Sequence, residues 1–176
     1  MRLFIACNFP HSVQRFLGEQ QNRIKTVCTK GRFPKEENLH LTLIFLGEIA
    51  EKDLSPIITI LDTIETPPVP ITFNELGCFK RRDGDIWWVG LLPSPPLLTL
   101  QKYLYAKLSQ EGFTLDSRPF SPHITLARGV RLSQQIENII PRETTVVRHI
   151  SLMQTLHISG QISYRELHGK NLTSPT

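Results

Sequence analysis

The spacing of apolar residues switches along the chain between a period of two and a period near 3.6. Residues 2–9 form an apolar, β-rich run closed by Pro10, which predicts a first strand. Val13, Phe16, Leu17, Ile24 and Val27 recur at helical spacing over 12–28. LHLTLIFL, at 39–46, alternates as a half-buried strand does. Leu54, Ile57, Ile58, Leu61 and Ile64 share one helical face over 53–65. Strands at 70–79 and 85–92 flank a turn-like Arg82-Asp83-Gly84-Asp85. Leu97, Leu100, Leu104 and Leu108 mark a helix over 96–111, and residues 122–128 read as a strand. A helix near 132–140 and strands near 145–157 and 161–167 complete the order, with Ser159-Gly160 as a hairpin turn.

This order repeats. Pro10 and Pro93 close matching apolar strands and lie 83 residues apart, as do His40 and His123, and Thr42 and Thr125. One offset therefore relates a strand, a helix and a second strand in each half. An α+β fold built as a duplicated unit is expected, with halves of about 2–84 and 85–168 in a single bilobal domain.

The second strand of each half carries the candidate chemistry: His40-Leu41-Thr42-Leu43 and His123-Ile124-Thr125-Leu126. With six histidines in 176 residues, about half a chance match to His-x-Thr is expected, so two matches alone mean little. Both matches also have apolar second and fourth positions inside predicted strands, which makes coincidence roughly ten times rarer. Strand parity puts His40 and Thr42 on one face, with Leu41, Leu43 and Phe45 on the other, and the second strand repeats this. A duplicated unit can bring the two strands together, so that two imidazoles and two hydroxyls line one groove. That set suits opening of a cyclic phosphate. A neutral His deprotonates the attacking water, and a cationic one protonates the leaving ribose oxygen on the opposite side of phosphorus. Threonine hydroxyls can donate to the phosphate oxygens where charge gathers. His11, His149, His157 and His168 lack such context and read as structural or surface groups.

Composition narrows the setting. Apolar residues make up 40% of the chain, enough for a core at this length. No run approaches the roughly 18 apolar residues of a membrane span. MRLFIACNFP lacks a signal-peptide cleavage pattern and reads as a strand. Cys7, Cys28 and Cys78 are far apart and form no CxxC, so neither a disulfide framework nor a zinc knuckle is indicated and a reducing cytoplasm is the expected location. No metal or cofactor is expected. The net charge of +4 and pI near 9.1 lean toward an anionic partner. Basic residues gather at Lys30, Arg32 and Lys35, at Lys80, Arg81 and Arg82, and at Arg118, Arg128 and Arg131. Any one cluster alone is ordinarily a solvated face.

These segments resemble the two-histidine (2H) phosphoesterase superfamily, defined by two HxTx motifs, and within it the LigT-like (ThpR) RNA 2′,3′-cyclic phosphodiesterases. The resemblance rests on RLFIA at 2–6, ENLHLTLIFLGE at 37–48 and PFSPHITLAR at 119–128. The hairpin from Phe79 to Trp87, Gly160 and Tyr164 are similar too. It spans nearly the whole chain. It implies two antiparallel sheets flanking a central groove with helices outside, and hydrolysis of 2′,3′-cyclic phosphate RNA ends to 2′-phosphates, with no metal or cofactor. His40 would be the general acid, His123 the general base, and Thr42, Thr125 and Arg128 phosphate-binding residues. Parity sets a condition on Arg128. Five residues from His123, it faces away from the groove unless the strand ends or bulges after Leu126 or Ala127. His157, polar where apolar residues are expected, has no functional account. The expected partner is RNA with a cyclic phosphate end, tRNA fragments included, with no membrane association and a monomeric chain.

Other readings stay open at this point. The same groove could join tRNA halves through a 2′–5′ linkage, hydrolyse a small cyclic nucleotide, or bind RNA ends without catalysis. A zinc site is poorly supplied, with two histidines and no Cys or carboxylate at ligand spacing. No P-loop glycine string and no GxSxG element occurs.

Overall fold

Leu3 to Cys7, five consecutive residues of β1 (Arg2–Asn8), are buried, because the strand lies inside a sheet covered on both faces. A computed structural model describes residues 1–158 and 160–174 of the chain. β1 pairs with β3 (His40–Glu48) on one side and β8 (His149–Ile158) on the other. β9 (Gln161–Asn171) completes this first antiparallel sheet in the order β3-β1-β8-β9. The second sheet holds β2 (Cys28–Arg32), β6 (His123–Leu132), β5 (Asp85–Leu91), β4 (Val69–Phe79) and β7 (Ile139–Val147), in that spatial order and also antiparallel. The helices are α1 (His11–Val27), α2 (Leu54–Asp62) and α3 (Pro95–Gln110). α1 packs against β6, and α3 against β3 and β4.

Period two along β1 separates the two faces of the first sheet. Leu3, Ile5 and Cys7 join the main core with Val13, Leu17 and Ile24 of α1 and Leu97, Leu100, Leu104 and Leu108 of α3. Phe4 and Ala6 instead form a small cluster with Met153 and Tyr164 on the opposite face. Contacts between β3 and β6 join the two sheets.

The 83-residue offset carries β1 onto β5, α1 onto α3 and β3 onto β6. The sheets do not follow the halves, however. β4, from residues 2–84, pairs in the second sheet, while β8 and β9, from 85–168, complete the first. Each half thus lends strands to the other's sheet.

Three local expectations change. The helix expected near 132–140 is absent. Residues 133–138 form no regular element, and β7 begins at Ile139. Contacts from outside the segment claim its backbone groups. Arg23 donates to the carbonyls of Glu137 and Ile139, both at 2.9 Å, and Leu76 N–H donates to Asn138 O at 2.8 Å. The strand expected over 145–157 is two strands, β7 and β8, meeting near Arg148. β2, short and polar, has no apolar period to betray it. The expected turn residue Ser159 lies outside the described residues, while Gly160 has φ 76°, a backbone conformation that favours glycine. Among the described residues, no helix is long and apolar enough to cross a membrane.

Gly77 of β4 lies under the Trp88 ring of β5, its cross-strand partner. A Cβ on Gly77 would come within 2.2 Å of that ring. Gly77→Ala is therefore expected to displace Trp88 and cost about 1–3 kcal/mol, read as a lowered Tm with altered tryptophan fluorescence. An unchanged Tm and spectrum would show that the ring has room to yield.

Candidate active site

β3 and β6 present their histidines in the same way. His40 Nδ1 lies 2.7 Å from the carbonyl oxygen of Asn38, and His123 Nδ1 lies 2.7 Å from that of Ser121. A carbonyl can only accept, so each Nδ1 carries the proton and donates it. In the neutral ring this leaves the Nε2 lone pair free, and no protein partner occupies either Nε2 among the described residues. Aromatic rings hold both imidazoles. Phe4 stacks on His40 with centroids 4.8 Å apart, and Tyr164 meets it edge-on at 5.1 Å. Phe79 meets His123 edge-on at 5.2 Å, with Trp88 at 6.3 Å.

The two strands also bulge at matching positions. Between Ala6↔Thr42 and Ile5↔Ile44, β3 has one extra residue, Leu43. Between Trp88↔Thr125 and Trp87↔Ala127, β6 has one extra residue, Leu126. These are again 83 residues apart. A bulge advances the chain by one and inverts the parity beyond it. In β6, Leu126 and Ala127 are buried in succession and Arg128 emerges on the face of His123 and Thr125. The bulge on which Arg128's position depends is thus present. The same shift overturns the expectation for Phe45. It does not pack inside with Leu41 and Leu43 but is 47% exposed and lines the groove.

A buried side chain holds the second bulge. Gln21 of α1 is 1% exposed, and its amide donates to the carbonyls of Leu126 and Pro34, both at 2.9 Å. The extra residue of a bulge drops out of the ladder, and a buried carbonyl left bare would cost about 1–3 kcal/mol. Nothing in the sequence marked Gln21; its only signal is a polar residue on the inward face of an amphipathic helix.

Thr42, Phe45, Phe79, Arg81, Arg118, His123, Thr125 and Arg128 line one open groove of about 410 Å³. His40 shares Thr42's face, two residues along β3. Arg128 acts on both rings. Burial pushes the pKa of His40 down, the hydrogen bond to Asn38 opposes this, and the Arg128 charge lowers it further. His123 is lowered for the same reasons, burial first, with Ser121 opposing. The basic clusters divide. Arg81, Arg118 and Arg128 face the groove, whereas Lys80 pairs with Asp85 at 2.7 Å and Arg131 donates to the Arg82 carbonyl. Among the other histidines, His168 bonds Asp62 at 2.8 Å. His149 lies in a polar chain with Glu166, Ser151 and Asn8, and Asn8 is the cross-strand partner of His40. Among the described residues, no group of three His, Cys, Asp or Glu could hold a metal ion.

A family model described as the 2′-5′ RNA ligase superfamily matches residues 9–157. The chain belongs to that superfamily. Its superfamily relatives include an Archaeoglobus fulgidus protein named RNA 2′,3′-cyclic phosphodiesterase, 30% identical over 174 residues, which span 95% of this chain and 98% of the relative. A Thermotoga maritima protein of the same name is 31% identical over 177 residues, covering 96% and 94%. Among solved structures, Escherichia coli LigT complexed with 3′-AMP superposes with a TM-score of 0.86 at 26% identity, covering 98% of each chain.

Both imidazoles should titrate below the ordinary value near 6.5, because burial and Arg128 both disfavour the cation. The sign carries into stability. The contribution of these neutral rings is full above about 6.5 and is lost as the pH falls through the depressed folded-state values. NMR titration of the ring protons checks this: midpoints below 6.5 are expected for both, and Arg128→Gln should raise both. A midpoint at or above 6.5 for either ring would refute this electrostatic account.

Proposed function

We propose that the chain hydrolyses 2′,3′-cyclic phosphate ends of RNA to 2′-phosphates without a metal ion, with His123 as general base and His40 as general acid. The observation that carries the reading is the matched pair of imidazoles. Each is fixed at Nδ1 by the carbonyl two residues before it, each keeps Nε2 free, and both lie within the field of Arg128. The names of the Archaeoglobus and Thermotoga relatives support the same chemistry.

Neutral His123 takes a proton from water at Nε2 as the water oxygen attacks phosphorus in line with O3′. The P–O3′ bond breaks, and protonated His40 gives its Nε2 proton to O3′. The products are a 2′-phosphate and a free 3′-hydroxyl. Thr42 and Thr125 donate to the non-bridging oxygens, and Arg128 offsets the phosphate charge. Arg128 lowers His40 in the free protein, but the arriving anion opposes that field and favours the proton that His40 must donate. The same groups, with a 5′-hydroxyl in place of water as the attacker and O3′ again leaving, would join a 2′,3′-cyclic end to that hydroxyl through a 2′–5′ linkage, as the superfamily's description implies. tRNA halves have such ends.

Each acid–base role is worth about 10²–10⁴ in rate. His40→Ala and His123→Ala are each expected to lower turnover of a cyclic-ended oligonucleotide by at least about 10² while circular dichroism stays unchanged. Near-normal turnover by either variant would exclude the two-histidine mechanism. Thr42→Ala and Thr125→Ala should cost less, since each removes one donor of several.

Turnover should also survive exhaustive chelation. Loss of activity in EDTA, restored by one divalent ion, would mean that a metal performs a step assigned here to histidine.

A further inference from the structure

One exposed cation beside the groove, laid on a residue that lines it, has no place in that mechanism. Arg2, at the start of β1, is exposed, and its guanidinium lies over the Phe45 ring, 5.2 Å from the centroid. Its cross-strand partner, Glu48, instead approaches the N-terminal amine at 3.5 Å. Among the described residues no carboxylate pairs with Arg2.

Its position follows from the fold. β1 itself has no extra residue, so Arg2, Phe4, Ala6 and Asn8 share one face. Phe4 stacks on His40, and Arg2 stands one strand repeat beyond it, about 6–7 Å along. Tyr164, edge-on to both Phe4 and His40, lies within the field of both cations: burial raises its pKa, while Arg128 and Arg2 oppose the rise. The 83-residue offset adds a further point. Arg128 stands just past the β6 bulge; the equivalent position past the β3 bulge is Phe45. The first strand therefore lacks a guanidinium of its own there, and Arg2, laid on Phe45, supplies one.

We propose that Arg2, held on Phe45, binds the 5′-phosphate of the terminal nucleotide, the first internucleotide phosphate upstream of the cyclic end. This rests on the reaction proposed above. There His40 protonates O3′, so the ribose lies on the His40 side of the phosphorus, against the first sheet. From that ribose the chain leaves through C5′ toward the next phosphate, and charge decides its direction along β1. The Asn8 end leads into the Ser151–Glu166 network, with its carboxylate. The other end leads to Arg2. Phe45 fixes the guanidinium plane and leaves its edge N–H groups free for phosphate oxygens. A substrate recognised this way is a nucleotide with phosphate on both sides of the ribose, an RNA end rather than a cyclic nucleoside.

The test compares two small substrates, adenosine 2′,3′-cyclic phosphate with and without a 5′-phosphate, and reads the ratio of their kcat/KM values. A charge-assisted contact of this type is worth roughly tenfold or more, so the wild-type ratio should be about 10 or higher in favour of the 5′-phosphorylated substrate. In Arg2→Ala the ratio should fall to near one. Phe45→Leu, a change at an exposed position, should lower it at least about threefold by freeing the guanidinium, and it carries the test if the Arg2 variant folds poorly. A purely structural role for either residue would slow both substrates alike and leave the ratio unchanged. A wild-type ratio near one, or a full ratio in Arg2→Ala, overturns the subsite while leaving the hydrolytic reading intact. Turnover of neither mononucleotide by the wild type overturns the subsite, and the hydrolytic reading falls with it only if a cyclic-ended oligonucleotide is also left unopened.

Discussion

The hydrogen bond from Gln21 to the carbonyl of Leu126 ties the scaffold to the chemistry. A regular strand would send Arg128 into the packing between sheet and helix, where a lone guanidinium is costly. The bulge at Leu126 turns it out instead, and the buried amide satisfies the carbonyl that the bulge releases from the ladder. Arg128 then reaches a place from which its charge acts on His40, His123 and Tyr164 together. A phosphate there would meet a cation, two hydroxyls and two imidazoles.

The imidazoles are fixed with equal economy. Each donates from Nδ1 to the carbonyl two residues back in its own chain, so backbone geometry alone sets the tautomer and aims Nε2. Neither ring needs a carboxylate partner. This leaves both with depressed basicity and nearly the same surroundings, so acid and base roles must come from the substrate, by which ring faces the water and which the ribose. The sharing of strands between sheets keeps the two rings in register, since β4 and β8 each bind one half of the chain to the sheet of the other.

Much of this was legible in the sequence. Hydrophobic period located three helices and most strands, and parity placed each threonine beside its histidine. The 83-residue offset related three pairs of elements because it survives in the register as well as in the residues. What escaped notice was long-range. The segment 133–138 looks helical by composition, yet Arg23 and Leu76, more than 60 residues away in the chain, claim its backbone. A bulge changes no residue type, so parity alone directs Phe45 inward; parity also states that Arg128 requires a bulge, but not that one is present. Gln21 looked like any surface glutamine because its partner lies 105 residues on.

The proposed chemistry turns on which bond breaks and which groups move the protons. It is tested most directly by the position of the phosphate in the product. A short RNA with a 2′,3′-cyclic end is incubated with the protein and the product examined by phosphorus NMR. The account predicts a 2′-phosphate with a free 3′-hydroxyl, as follows when the leaving oxygen is O3′ and His40 protonates it. A 3′-phosphate, a mixture of the two isomers, or an unopened ring would contradict it.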